Sequence, residues 1–113
     1  MGEAIRLTAR DGFACDAYVA RPDGVPRGGI VVLQEIFGVN AHIRNVVDRY
    51  AAEGYLSVAP SLFDRAEPGF QSGYQPEDMP RAFAMIARVE SGPAPGATEK
   101  KVFPALPRLL EPN

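Results

Sequence analysis

"VVLQEIFGVN", residues 31–40, places a carboxylate directly behind a run of apolar side chains. Ile30 to Gln34 reads as a buried strand, since its consecutive apolar residues, preceded by Gly28 and Gly29, leave no solvated face. Glu35 then stands at the carboxyl end of that strand, and Glu35 to Val39 reads as a loop. Asn40 is a good N-cap, and Ile43, Val46, Val47, Tyr50 and Ala51 follow at helical spacing. Gly54 in "AAEGY" is placed to cap the helix, and "YLSVAP" reads as a second buried strand closed by Pro60. The order strand, helix, strand implies a right-handed parallel crossover.

On the N-terminal side, strands at about Ala4 to Thr8 and Phe13 to Ala20 flank "RDG", whose Asp11-Gly12 pair is a hairpin signal. "RPDGVPRGG" supplies the loop into the crossover. On the C-terminal side, Ser61 to Gln75 reads as loop, and "PEDMPRAFAMIARVE" as a second helix with Glu77, Asp78 and Pro80 in its first turn. From residue 91 the composition changes. "SGPAPGATEKKVFPALPRLLEPN" holds five of the 11 prolines and both lysines, which predicts a poorly ordered tail.

At 113 residues the chain fits one domain, and a chain of this size buries roughly two thirds of its unfolded surface. The 46% apolar and 23% charged content is that of a soluble globular protein. The net charge of −2 is spread without a basic stripe, which argues against nucleic acid as a partner. "IVVL" and "AFAMIA" are too short to span a bilayer, and the N-terminus shows no secretory segment, so the expectation is no membrane and a cytoplasmic location. Cys15 is the only cysteine and His42 the only histidine, which predicts no disulfide, no metal site and no cofactor. Cys15 reads as a small apolar residue sharing a strand face with Phe13, Ala17 and Val19, and His42 as a surface or capping residue.

The stretch "IVVLQEIFGVNAHIRNVVDRYAAEGYLSVAPSLFDRAEPG", residues 30–69, resembles the dienelactone hydrolases, with weaker similarity back to about Ile5 and forward to about Glu90. The resemblance implies an α/β fold class: a truncated α/β-hydrolase fold with an N-terminal hairpin, a βαβ crossover and a following helix. Residues 1–90 would be the N-terminal part of that domain, and 91–113 a divergent, disordered Pro-rich tail. It also implies hydrolysis of carboxylic esters or lactones by a cysteine or serine nucleophile, a histidine base and an aspartate. Residue by residue, Glu35 matches the glutamate that contacts the nucleophile, and Ile36 a residue whose backbone N–H helps form the oxyanion hole. Arg81 matches an arginine that holds the substrate carboxylate. On spacing alone Glu35 reads as solvated or paired with an arginine such as Arg44; the resemblance reassigns it to an active-site position.

The departures from the family pattern are as informative. No GxCxGG or GxSxGG elbow occurs in the 113 residues, and Ser57, Ser61, Ser72 and Ser91 all lack a strand-to-helix elbow. His42 lies far from the C-terminal position of the family's base. Three functions follow: a shortened hydrolase inactive alone, whose uncovered sheet is expected to self-associate, half of a split enzyme completed by another chain, or a non-catalytic interaction module that offers its sheet edge. Ile36 N–H is expected to open toward a hollow beside Glu35, with no Ser, Cys or His side chain bonded to that carboxylate.

Overall fold

A computed structural model describes residues 2–90; the predicted tail, 91–113, lies outside the described residues. The hairpin forms from β1 (Glu3–Thr8) and β2 (Ala14–Ala20), antiparallel with Leu7 opposite Cys15. Its turn uses the Asp11-Gly12 pair as predicted. The Asp11 carboxylate accepts from Phe13 N–H at 3.1 Å, and Gly12 takes φ +89°, a conformation that costs glycine nothing.

β3 (Gly29–Val31), α1 (Ala41–Ala52) and β4 (Leu56–Pro60) make the crossover, with β3 and β4 parallel. The sheet order is β1-β2-β4-β3, so β4 lies between the hairpin and β3. β3 is shorter than the sequence predicts. One more ladder bond, from Val32 N–H to Val58 O at 2.8 Å, extends it, and then Leu33 turns outward and is 53% exposed. Burial on both faces therefore holds for β4, where Ser57 to Pro60 are all buried, and not for β3, which pairs with one neighbour among the described residues.

α1 is capped at both ends as its sequence predicts. The Asn40 side chain accepts from Ile43 N–H at 3.2 Å. At the other end Gly54, at φ +101°, follows the terminal residue Glu53; its N–H bonds Ala51 O at 3.0 Å, and Tyr55 N–H bonds Tyr50 O at 3.1 Å, a Schellman motif. Ile43, Val47 and Ala51 pack onto Ala20 and Ala59 on one face of the sheet. Burying a side chain such as Ile43 or Val47 is worth about 1.5–3 kcal/mol, more than the ~1 kcal/mol of a cap. Docking therefore decides that α1 exists, and the caps decide where it starts and stops. The opposite face carries Ala17, Val19 and Val58, bordered by half-buried Ile5, Leu7, Val31 and Leu56.

After β4 the chain folds back as a loop. Asp64, 4% exposed, accepts from Asp16 N–H at 2.7 Å and Gly69 N–H at 2.9 Å, while Ser61 N–H donates to Asp16 O at 2.8 Å. These bonds carry the β2–β4 pairing one residue past the strand. A 3-10 turn (Pro76–Asp78) then leads into α2 (Met79–Glu90), so Glu77 and Asp78 lie in the turn before the helix, not within its first turn. Ala82 and Met85 of α2 pack on Phe37 and Phe70, a cluster separate from the sheet core.

Asn40 is the most connected polar side chain of this frame, because its amide nitrogen also donates to Ser72 O at 3.3 Å and Tyr74 Oη at 3.0 Å. Asn40→Ala is expected to lower unfolding free energy by about 1–2 kcal/mol, while His42→Ala, two residues on and exposed, changes it by less than about 0.5 kcal/mol. Urea unfolding of the two variants checks the contrast.

Candidate active site at the carboxyl end of β3

The segment "QEIFG" folds as a tight turn. Gly38 N–H bonds Glu35 O at 3.2 Å, Gly38 also bridges to Gln71, and Ser72 N–H bonds Phe37 O at 2.9 Å. Gly38 has φ +81°, and a Cβ there would run into Phe70 O, so only glycine allows the loop after β3 to lie on the loop after β4. Phe37 is thereby driven inward, edge-on to Tyr74 with ring centres 4.5 Å apart, and Ile36 packs against the Phe37–Phe70 cluster.

The backbone N–H of Ile36 has no hydrogen-bond acceptor among the described residues, whereas the carbonyl of the same peptide accepts twice, from Gly38 N–H and from Gln34 Nε2 at 3.1 Å. The Glu35 side chain is exposed, and among the described residues its carboxylate has no hydrogen-bond or ion-pair partner. Arg44 does not take it. Its guanidinium donates instead to Val39 O at 2.8 Å and Gln71 Oε1 at 3.3 Å.

Arg81, on the first turns of α2, lies with its guanidinium 4.8 Å from the Phe70 ring centre and donates to Glu67 Oε2 at 2.9 Å. Arg81 and Ile36 therefore border one apolar cluster from two sides. The Arg81–Glu67 pair is exposed, and such pairs are worth about 0.2–1 kcal/mol, so Glu67 is a displaceable partner.

Two cavities are found among the described residues, and the hollow expected beside Glu35 is neither of them. A cavity of about 370 Å³ lies on α1 beside Val46, Arg49, Tyr50 and Glu53, and one of about 250 Å³ lies between β2 and the loop at Phe70, reached by Tyr18, Arg44 and Gln71. Neither is lined by Glu35, Ile36 or Arg81.

The remaining candidates stay apart from the turn. His42 is exposed on α1 and forms no hydrogen bond among the described residues. Cys15 is half-buried in β2, and burial, followed by the nearby Asp64 and Asp16 carboxylates, pushes its thiol above the ordinary range. Among the described residues no three His, Cys, Asp or Glu side chains converge as a metal site, and no helix is long and apolar enough to cross a membrane. The sequence reading missed Gln34 and Asp64. Both act on backbone groups far away in sequence, Gln34 on Leu62 and Asp64 on Asp16, and no local pattern marks such a bond.

A β-hairpin followed by a parallel βαβ unit, with an unaccepted N–H at the carboxyl end of the crossover strand, is the layout of an α/β-hydrolase sheet on its N-terminal side. The fold matches a solved, provisionally named dienelactone hydrolase of Klebsiella pneumoniae at a TM-score of 0.54 and 28% identity, over 90% of this chain and 45% of that one. Curated relatives agree. A provisionally named carboxymethylenebutenolidase of Azospirillum brasilense is 48% identical over 73% of this chain and 36% of its own length, and the carboxymethylenebutenolidase of Pseudomonas putida is 40% identical over 67% and 31%. The model of the dienelactone hydrolase family matches residues 15–102, and the chain belongs to that family. It spans about a third of the length of these curated relatives.

The raised Cys15 thiol generates a chemical test. Thiolate, not thiol, reacts with alkylating agents, so Cys15 is expected to label with iodoacetamide at pH 8 more slowly than an unstructured cysteine peptide, and to reach the peptide's rate in urea. Labelling at the peptide rate without denaturant would show a reactive thiol at this position.

Proposed function

We propose that residues 34–40 form the oxyanion side of an ester- or lactone-hydrolysing site whose nucleophile and base are supplied from outside these 113 residues. The observation that carries this reading is the Ile36 N–H, held at the carboxyl end of β3 with no acceptor among the described residues. In acyl transfer the nucleophile attacks the carbonyl carbon, the carbonyl oxygen takes up the negative charge, and donors aimed at that oxygen lower the barrier. Ile36 N–H is one donor. The other, in this reading, is the N–H that follows the nucleophile. The intermediate then collapses, the carbon–oxygen bond to the leaving group breaks, the base passes the proton it took from the nucleophile to the departing oxygen, and water deprotonated by the same base releases the acyl group.

Glu35 lies next in the chain to that donor with a free carboxylate, which suits the role of contacting the nucleophile. Arg81 suits the role of holding a substrate carboxylate, with the phenyl ring of Phe70 beneath it and a weak pair to give up. The names of the relatives point to small lactones that carry a carboxylate as the substrate class.

The magnitudes predict silence from this chain alone. A single oxyanion donor contributes about 10²–10³ in rate, whereas losing the nucleophile or its base costs about 10⁶. The purified chain is expected to hydrolyse p-nitrophenyl acetate and enol lactones no faster than buffer. Turnover that disappears in Cys15→Ala, His42→Ala or Ser91→Ala would overturn this assignment.

A second reading, an interaction module, is favoured by one observation. β3 pairs only with β4 among the described residues, and Ile30 and Val31 are half-buried at that edge. An open edge beside half-buried apolar residues favours strand addition. The chain is therefore expected to self-associate at about tens of micromolar, the range in which exposed strand edges and apolar surface drive assembly. A sharp monomer peak in gel filtration, with cooperative thermal unfolding, would count against a shortened, uncovered sheet and favour a self-sufficient small fold.

A further inference from the structure

We propose that Gln34 is a positioning residue that fixes the direction of the Ile36 N–H by holding the carbonyl of the same peptide. The inference rests on the reading of Ile36 as an oxyanion donor and deepens it.

The geometry begins with the peptide unit. The carbonyl of Glu35 and the N–H of Ile36 belong to one rigid plane and point in opposite directions across a trans bond. Whatever holds the carbonyl therefore aims the N–H. Two donors reach that carbonyl: Gly38 N–H at 3.2 Å, from within the turn, and Gln34 Nε2 at 3.1 Å, from the residue before it. Together they occupy both acceptor positions of a carbonyl oxygen.

Gln34 is itself oriented by a third group. Its Oε1 accepts from Leu62 N–H at 2.9 Å, and Leu62 lies just past the end of β4. An amide that presents its oxygen to Leu62 must present its nitrogen elsewhere, and the Glu35 carbonyl is where it goes. The side chain thus ties the end of β3 to the exit of β4 and reads one backbone group on each.

The alternative orientation shows what the clamp prevents. If the Glu35–Ile36 peptide turned over, its carbonyl would lose both donors and point where the N–H now points. An oxygen there would occupy the space meant for a developing oxyanion and repel it. Gly38 alone holds the carbonyl with one bond. Losing the other raises the turned fraction on the order of fivefold, the equilibrium effect of one neutral hydrogen bond.

Two substitutions separate this role from a merely structural one. Gln34→Glu, ionised at pH 7, keeps an acceptor for Leu62 N–H and removes the donor to Glu35 O. Gln34→Met keeps the length and removes both. In the ¹⁵N-labelled full chain, Gln34→Glu is expected to leave the Leu62 amide resonance in place while the Ile36 amide gains exchange broadening, with a turned fraction on the order of fivefold higher. Gln34→Met is expected to displace both amides. An Ile36 amide unchanged in both variants overturns the proposal, as does a Leu62 shift in Gln34→Glu as large as in Gln34→Met. The readout is independent of hydrolysis. An Ile36 N–H that proves catalytically idle in a completed enzyme would overturn the oxyanion reading while leaving the clamp in place.

Discussion

The close approach of two backbones at Gly38 is the constraint on which the candidate site depends. Gly38 bridges Glu35 on one side and Gln71 on the other, in a conformation that no side chain tolerates there. That contact joins the loop leaving β3 to the loop that follows β4. Once it is made, Phe37 faces inward to meet Phe70 and Tyr74, and the next residues carry Asn40 to the start of α1. The contact at Gly38 thus places the apolar cluster under α2 and the approach to Asn40, and it shares with Gln34 the aim of the Ile36 N–H.

The long loop is held by buried polar bonds and by the largely buried Arg65, whose guanidinium pairs with Asp11 at 2.9 Å and lies 4.3 Å from the Phe13 ring centre. Asp64 loses water on folding and regains two backbone N–H bonds, one from β2 and one from within its own loop. Stranding such a group costs about 1–3 kcal/mol or more when it is charged. The pair Arg6–Asp16, by contrast, is half-exposed or more on both sides, and pairs of that kind contribute about 0–1 kcal/mol. The order of residues 61–71 therefore traces to the Asp64 bonds, to Arg65 on the hairpin and to Phe63, Ala66 and Phe70 in the apolar cluster. The same reasoning applies to Asn40, whose side chain satisfies a helix amide, a loop carbonyl and a tyrosine hydroxyl at once.

Local physics was legible in the sequence and non-local physics was not. Asp11-Gly12, Asn40 and Gly54 are each dictated by neighbours within a few residues, and all three act as their residue types predict. Of the helical spacing Ile43, Val46, Val47, Tyr50 and Ala51, the first, third and last form the buried face of α1, while Tyr50 is 42% exposed. The insertion of β4 between the hairpin and β3 has no such signature, because strand order depends on pairing across the whole sheet. For the same reason "GIVVL" reads as buried throughout, while Leu33 emerges into solvent where the ladder ends. The positions Glu35, Ile36 and Arg81 were reached through family resemblance; spacing alone would have left Glu35 a solvated carboxylate and passed over Ile36, whose relevant atom is a backbone nitrogen that every residue but proline carries. Gln34 was passed over because a glutamine after an apolar strand has no local mark of what its two amide atoms hold.

The turn after β3 is organised by contacts within residues 34–72, and in the proposed function this bears on how its donor would meet a nucleophile. A donor aimed in advance contributes to a transition state because it does not reorganise when charge develops. Here the aim is set by Gly38 and Gln34, and Gln34 takes its own orientation from Leu62 at the exit of β4. None of these contacts involves a nucleophile. Where water reaches the Ile36 N–H, a donor without a protein acceptor carries little desolvation penalty. Closing the site would then remove that water and strengthen the same N–H in a lower-dielectric setting. In the proposed function a nucleophile meeting this turn would thus find a donor already aimed, without first having to shape it.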